Sequence, residues 1–260
     1  MKFETIEVNR RGAIATVTLD RPPMNLATVA SLEELSQALA DLGADNDIRV
    51  VVLTGRGERA FCAGADVDQG ELFDPKAGLR LRTLGRDVVA KIEGLAKPVI
   101  AAIDGYCMGG GTGLAWPCDI KIATERAKFG ARDPYLGIVP SWSVGMVRLS
   151  RWIGKNRAME VLLMGEFMSA AEAKSLGLIS RVVANDELMA ETMEMAERLA
   201  GAAPLAVAGI KKAVIRSTYG TQEEAAAFEE EVCLEVFASE DAREGLLAFS
   251  EKRPAEFKGR

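Results

Sequence analysis

An apolar run over residues 98–103 ends in Asp104-Gly105, and three consecutive glycines follow at Gly109, Gly110 and Gly111. This stretch constrains the chain more than any other. Glycines inside structured backbone carry an entropic cost, and a close approach of the backbone to something else is the usual reason to keep them. Residues 112–116 can open a short helix directly behind them. The first N–H groups of such a helix have no intrahelical partner, and preorganised donors of that kind favour a developing negative charge. A tight packing turn explains the same glycines without chemistry.

Strand-length and helix-length patterns alternate around this stretch. Residues 3–8 and 13–19 read as strands joined in a hairpin through Asn9-Arg10-Arg11-Gly12. Val29, Leu32, Leu35, Leu39 and Leu42 recur at helical spacing, with Gly43 as a C-cap candidate. Residues 49–54 form a continuous apolar strand of the buried kind, and residues 79–95 resume the helical period. Strand, helix, strand is the grammar of an α/β sheet. Gly55-Arg56-Gly57-Glu58-Arg59-Ala60 has the outline of a dinucleotide motif, but no amphipathic helix follows it, so it reads as a polar turn. Short strands are expected at 119–123, 128–130 and 178–183. Helices are expected at 146–153, 157–164 and 169–176, the last opening with the capping-box pattern S-A-A-E. Four further helices, at 187–200, 205–216, 223–237 and 241–251, close the chain ahead of a basic tail with Lys252, Arg253, Lys258 and Arg260.

Composition narrows the chemistry. The chain has 260 residues and no histidine, which removes Ser-His-Asp and Cys-His nucleophile systems and imidazole-dependent metal sites. No metal site is expected. Acid–base work must fall to carboxylates, Tyr, Lys, Cys or water. The four cysteines, Cys62, Cys107, Cys118 and Cys233, lack C-x-x-C spacing and read as reduced packing residues of a cytoplasmic protein. A net charge of −6 argues against non-specific nucleic-acid binding, and no apolar run reaches the length of a membrane span.

Two small-residue loops stand out: Ala63-Gly64-Ala65-Asp66 and the glycine triplet. Each follows a strand in neighbouring α/β units, and loops after successive parallel strands share one edge of a sheet, where ligands bind. If their backbone N–H groups converge, they form an oxyanion hole suited to a thioester carbonyl becoming an enolate. Asp133 stands before Pro134, where it can cap a helix or serve as a general acid or base. Ser141 can position water or simply face solvent. Trp116, Trp142 and Tyr135, with Leu72 and Phe73, are candidates to wall a pocket or to pack in the core.

The same residues resemble the crotonase (enoyl-CoA hydratase/isomerase) superfamily. The resemblance rests on F-C-A-G-A-D (61–66), I-A-A-I-D-G-Y-C-M-G-G-G (100–111), C-D-I (118–120), A-K-F-G (127–130) and L-G-I-V-P (136–140). The A-x-x-A-x-x-x-G-L run (170–178) and the closing E-K-R-P-x-x-F-K (251–258) add to it, so nearly the whole chain is covered in order. It implies an α/β spiral of ββα units over residues 1–195 and a C-terminal helical trimerisation region over 196–260. It also implies a homotrimer or dimer of trimers, and coenzyme A bound only as part of an acyl thioester. The implied oxyanion donors are the amides of Ala65 and Gly110. Asp133, with Ser141, supplies the remaining catalytic groups. Met24, Asn25, Ala63, Asp66, Gly109 and Lys258 complete the implied coenzyme A contacts.

The chain departs from the family pattern at two points that bear on mechanism. Hydratases of the family use two glutamates, at positions that are Gly113 and Asp133 here. A single carboxylate at the second position fits the isomerases better, while Gly113 opens space that a hydrolytic carbon–carbon cleavage of a β-keto acyl-CoA would use for water. A lapsed acyl-CoA-binding protein is a further alternative. A family lysine near the coenzyme A nucleotide is Asp68 here.

Overall fold

The structure is a computed structural model that describes residues 3–66, 74–142 and 144–260. Asp68, Leu72 and Phe73 lie outside the described residues. Among the described residues, ten strands form two sheets. The larger runs in the order β1 (Ile6–Arg11), β2 (Ile14–Leu19), β3 (Val50–Gly55), β5 (Val99–Ile103), β7 (Ile120–Thr124), β10 (Arg181–Val183), parallel throughout except for the β1–β2 hairpin. The smaller runs β4 (Ala60–Cys62), β6 (Tyr106–Met108), β8 (Lys128–Gly130), β9 (Met168–Ser169). From β3 to β8 the chain therefore gives one strand to the large sheet and the next to the small one.

Period-two alternation explains why the central strands β3 and β5 are apolar on nearly every residue, since both of their faces are covered. In β3, Val51 and Leu53 face the main core, where α1 (Val29–Ala44) and α2 (Pro75–Gly94) pack, while Val50 and Val52 face a second cluster with Leu188 and Ala196 of α7 (Leu188–Ala200). In β5, Val99, Ala101 and Ile103 face the main core, and Ile100 and Ala102 the second cluster. Both faces are covered, so neither tolerates polar residues.

Several element ends differ from the sequence expectation for local reasons. The hairpin does not turn at 9–12: β1 continues through Arg11, opposite Ile14, and Gly12 takes φ +57 in a two-residue turn. Asn9, Arg10 and Arg11 are polar because they lie on an edge strand. Gly43 lies inside α1, which runs on to Ala44 with Asp45 as its C-cap. β4, β6 and β9 are not expected from the sequence, being too short to show a period. Asp133 does not cap a helix: it is the first residue of a 3-10 turn, Asp133–Leu136, and no side-chain cap bond is present. The capping box at Ser169 is present, with the Ser169 hydroxyl and Glu172 carboxylate satisfying each other's backbone N–H ahead of α6 (Ala170–Ser175).

Between them lie α3 (Gly110–Ala115), α4 (Ser150–Ile153) and α5 (Lys155–Met164), and α8 (Pro204–Tyr219), α9 (Gln222–Phe237) and α10 (Glu240–Glu251) finish the chain. A division at 195/196 falls within α7, whose Leu199 and Ala200 still pack on the sheet's second cluster. The C-terminal helices are tied to the core by Lys211 of α8. Its buried Nζ donates to Asp119 Oδ2 at 2.8 Å, Ile92 O at 2.9 Å and Lys97 O at 3.1 Å, while Asp119 Oδ2 also accepts from Val99 N. Burial pushes the Asp119 carboxyl above its ordinary value, and Lys211 opposes that shift. Removing one member of such a pair strands the other, at about 3–5 kcal/mol. Lys211→Met should lower the unfolding free energy by an amount of that order, seen as a lower denaturant midpoint at unchanged m when helical circular dichroism is followed.

Candidate functional site

The loop after β4 is held by the segment that precedes α1. Ala63 N–H donates to Met24 O at 2.9 Å, Ala27 N–H to Gly64 O at 2.8 Å and Asp66 N–H to Ala27 O at 2.9 Å. The last two bonds make a parallel bridge between Ala27 and Ala65. In such a bridge the residue bracketed by the two bonds turns its own N–H to the opposite side. The Ala65 amide accordingly has no acceptor among the described residues.

Asn25 supports this arrangement from beneath. It sits at φ +49, donates from Nδ2 to Ala60 O at 2.7 Å and to Arg56 O at 3.1 Å, and accepts from Arg21 N–H at 3.1 Å. Asp66 is buried and paired with Arg21 at 3.2 Å. Arg21 in turn donates to Leu26 O. Neither Asn25 nor Asp66 lines the cavity described below. Both residues brace the loop from outside that cavity.

The glycine triplet has a steric explanation. Gly111 stands so close to β4 that a Cβ there would overlap the carbonyl of Cys62. Gly109, at φ +49, donates to Gly130 O at 2.8 Å and abuts Gly64, whose own φ is +113. A Cβ on Gly64 would lie 3.8 Å from the Gly110 nitrogen. The two loops therefore touch. Gly110 is the first residue of α3, so its N–H has no intrahelical partner, and no acceptor for it occurs among the described residues.

Ala65 and Gly110 both line a cavity of about 520 Å³. Met24, Ala63, Gly109, Asp133, Ser141 and Trp142 line it too, as expected, and so do Trp116 and Gly113. Asp133 is half-buried, and desolvation raises its carboxyl pKa above the ordinary 3.8, opposed by its own backbone N–H. Ser141 is half-buried, and its carbonyl accepts from Arg86 Nε at 2.9 Å. Tyr135 is not part of the lining; its ring packs beside Gly165 and 5.8 Å from the Arg132 guanidinium. Lys258 lies elsewhere, bordering a separate surface hollow with Asp241 and Glu244. Two of the tail's charges are met within the chain, Arg253 by Glu244 and Glu251 and Arg260 by Glu240.

Sequence reasoning missed Leu81, Arg82, Tyr106, Arg132 and Phe167, which also line the cavity. Nothing in their spacing separated them from ordinary core or surface positions. Gly113 is a correction of another kind. The space beside it is not open, because the Trp142 indole fills it, and a Cβ at 113 would lie 3.0 Å from Trp142 Cε3. Cys62, Cys107 and Cys118 are buried free thiols; burial holds the Cys62 thiol at about 11 and the Cys118 thiol at about 12, which makes them poor nucleophiles.

Two amides without an acceptor among the described residues, an apolar cavity and one half-buried carboxylate make up the candidate active site of an enzyme. The comparisons with known proteins agree in class. The enoyl-CoA hydratase/isomerase family model matches residues 9–260. A probable enoyl-CoA hydratase from Rhizobium meliloti is 41% identical over 261 residues, covering 100% of both chains. The short-chain-enoyl-CoA hydratase of Clostridium acetobutylicum is 36% identical over 262 residues, again covering 100% of both. The crystal structure of an enoyl-CoA hydratase from Bacillus anthracis superposes with a TM-score of 0.95 at 36% identity, covering 99% of this chain and 100% of that one. The chain belongs to the enoyl-CoA hydratase/isomerase family and has the crotonase fold.

The close approach at Gly111 is directly testable. Gly111→Ala places a methyl group against fixed backbone, so α3 must shift away from β4, and overpacking of this kind costs about 1–3 kcal/mol. A lowered thermal midpoint is expected. An unchanged midpoint would show that the contact is slack.

Proposed function

We propose that the protein processes an acyl-CoA thioester through its enolate, with the thioester oxygen between the amides of Ala65 and Gly110 and the proton carried by Asp133. The observation that carries this reading is that the amides of Ala65 and Gly110 have no acceptor among the described residues and that both residues line one cavity with Asp133. Charge that develops on the thioester oxygen during reaction is stabilised by donors already in place, which costs no reorganisation.

Asp133 supplies acid–base chemistry from an apolar setting that raises its pKa. With a 3-enoyl-CoA, ionised Asp133 takes a proton from C2, the charge passes to the thioester oxygen, and the proton returns at C4. With a 2-enoyl-CoA, ionised Asp133 takes one proton from the water that adds at C3, the charge passes to the thioester oxygen of a 3-hydroxyacyl enolate, and Asp133 returns that proton to C2. Ser141, in the same lining, is placed to orient water. Met24, Ala63 and Gly109 hold the thioester end of coenzyme A in this reading, and Lys258 joins only from a neighbouring copy. The hydrolytic and purely binding alternatives lose their main support, because Trp142 fills the space beside Gly113 and a carboxylate remains in the cavity.

Asp133→Asn should retain binding of a saturated acyl-CoA and lose turnover of 2-enoyl- and 3-enoyl-CoA by about 10²–10⁴-fold, the usual worth of general acid–base catalysis. Product mass separates hydration, which adds water, from isomerisation. Where Asp133 acts as base, kcat/KM rises with pH along a limb above the ordinary carboxylate range, and the variant lacks that limb. Stability runs the other way. A raised native pKa means that the ionised form costs stability, progressively from the ordinary 3.8 upward. Asp133→Asn should therefore melt at or above wild type at pH 7 and match it at the acid end. Turnover that survives substitution would remove Asp133 from the chemistry.

We further infer a homotrimer or dimer of trimers. Leu234, Phe237, Leu246 and Phe249 of α9 and α10 are between 66% and 86% exposed, an apolar display that ordinarily marks an interaction surface. Light scattering should give three or six chains per particle; a monomer would overturn this assignment.

A further inference from the structure

Trp142 is only 7% exposed and belongs to the main core, yet it also lines the cavity. Glycines from two helices meet its indole. A Cβ on Gly113 would lie 3.0 Å from Cε3, a Cβ on Gly110 would lie 2.7 Å from Cη2, and a Cβ on Gly85 of α2 would overlap Cδ2. Gly85 and Gly113 stand inside helices, where glycine weakens the helix relative to alanine. Their common feature here is the ring between them. The residue before the ring is fastened as well, since Arg86 of α2 donates to Ser141 O at 2.9 Å. The indole is thus a large, positioned surface in the wall of the cavity.

We propose that Trp142 is the specificity-determining residue for the acyl group, limiting the room for substituents at C2 and C3. This rests on the thioester oxygen lying at the Ala65 and Gly110 amides. Because the indole packs against Gly110, it stands beside the carbons that adjoin the thioester carbonyl. A side chain at 113 and a bulky substituent on the substrate would compete for the volume the indole holds. The chain therefore accepts acyl groups unbranched at these carbons and discriminates against 3-branched or 3-aryl ones. Packing of this kind separates ligands that differ by one methylene by about 10–200-fold.

The test uses saturated esters, so it needs no turnover. Dissociation constants for butanoyl-CoA, 3-methylbutanoyl-CoA and 3-phenylpropanoyl-CoA are measured by calorimetry on wild type, Trp142→Phe and Trp142→Ala. Wild type should prefer butanoyl-CoA to 3-phenylpropanoyl-CoA by about tenfold or more. That preference should shrink about tenfold in Trp142→Ala and by a smaller factor in Trp142→Phe. If the alanine variant does not fold, the phenylalanine variant decides. Butanoyl-CoA binding with selectivity unchanged within about twofold would overturn the role of Trp142 and leave the thioester reading standing. Failure of wild type to bind any of the three esters would overturn the thioester reading itself, and this inference with it.

Discussion

The contact of α3 with the end of β4, where Gly111 meets the carbonyl of Cys62, is the constraint on which the site depends. It brings the glycine triplet against the Ala63–Asp66 loop, and only then do two amides from distant parts of the chain border one cavity. Neither loop is held by the other alone. The bridge to Ala27 turns the Ala65 N–H outward, and the bond from Gly109 to Gly130 O sets the start of α3. Asn25 and the Arg21–Asp66 pair brace the same segment from outside the cavity. Preorganised donors are effective because they are fixed before the charge appears, and here the fixing is done by residues that the ligand need not touch.

In the proposed function, burial supplies the second half of the chemistry. Asp133 is displaced from its ordinary pKa by desolvation, with no cation paired to it among the described residues. The contrast with Asp119 is instructive. That carboxylate is also pushed up by burial, but it is engaged by Lys211 and the Val99 amide, so its charge is committed to joining α8 to the sheet. One buried carboxylate is satisfied and structural; the other borders a cavity with its acid–base capacity unspent.

The glycines carry two kinds of information. Gly109–Gly111 mark backbone approaching backbone, whereas Gly85, Gly110 and Gly113 also make room for one indole. The family's first glutamate position is thereby occupied by a neighbouring residue's side chain, which changes the meaning of its absence. Gly113 is less a deletion than one wall of a socket.

The α/β class, most helices, the Ser169 capping box and the two small-residue loops were legible in the sequence, because each depends on local periodicity or on cap and turn chemistry that neighbouring residues carry. The catalytic-type candidates Asp133, Ser141, Ala65 and Gly110 were legible through motif spacing, and the cavity gathers all of them. What the sequence hid was non-local. That Asn25 and Asp66 brace the loop, that Lys258 faces another hollow, that Arg82, Tyr106 and Phe167 reach the cavity, and that Trp142 fills the space at Gly113 all follow from contacts between residues far apart in the chain. A sequence by itself determines which segments can be helix, strand or tight turn, since those preferences act over a few residues. Only tertiary packing decides which side chain occupies a given volume, because that volume is enclosed by several segments at once.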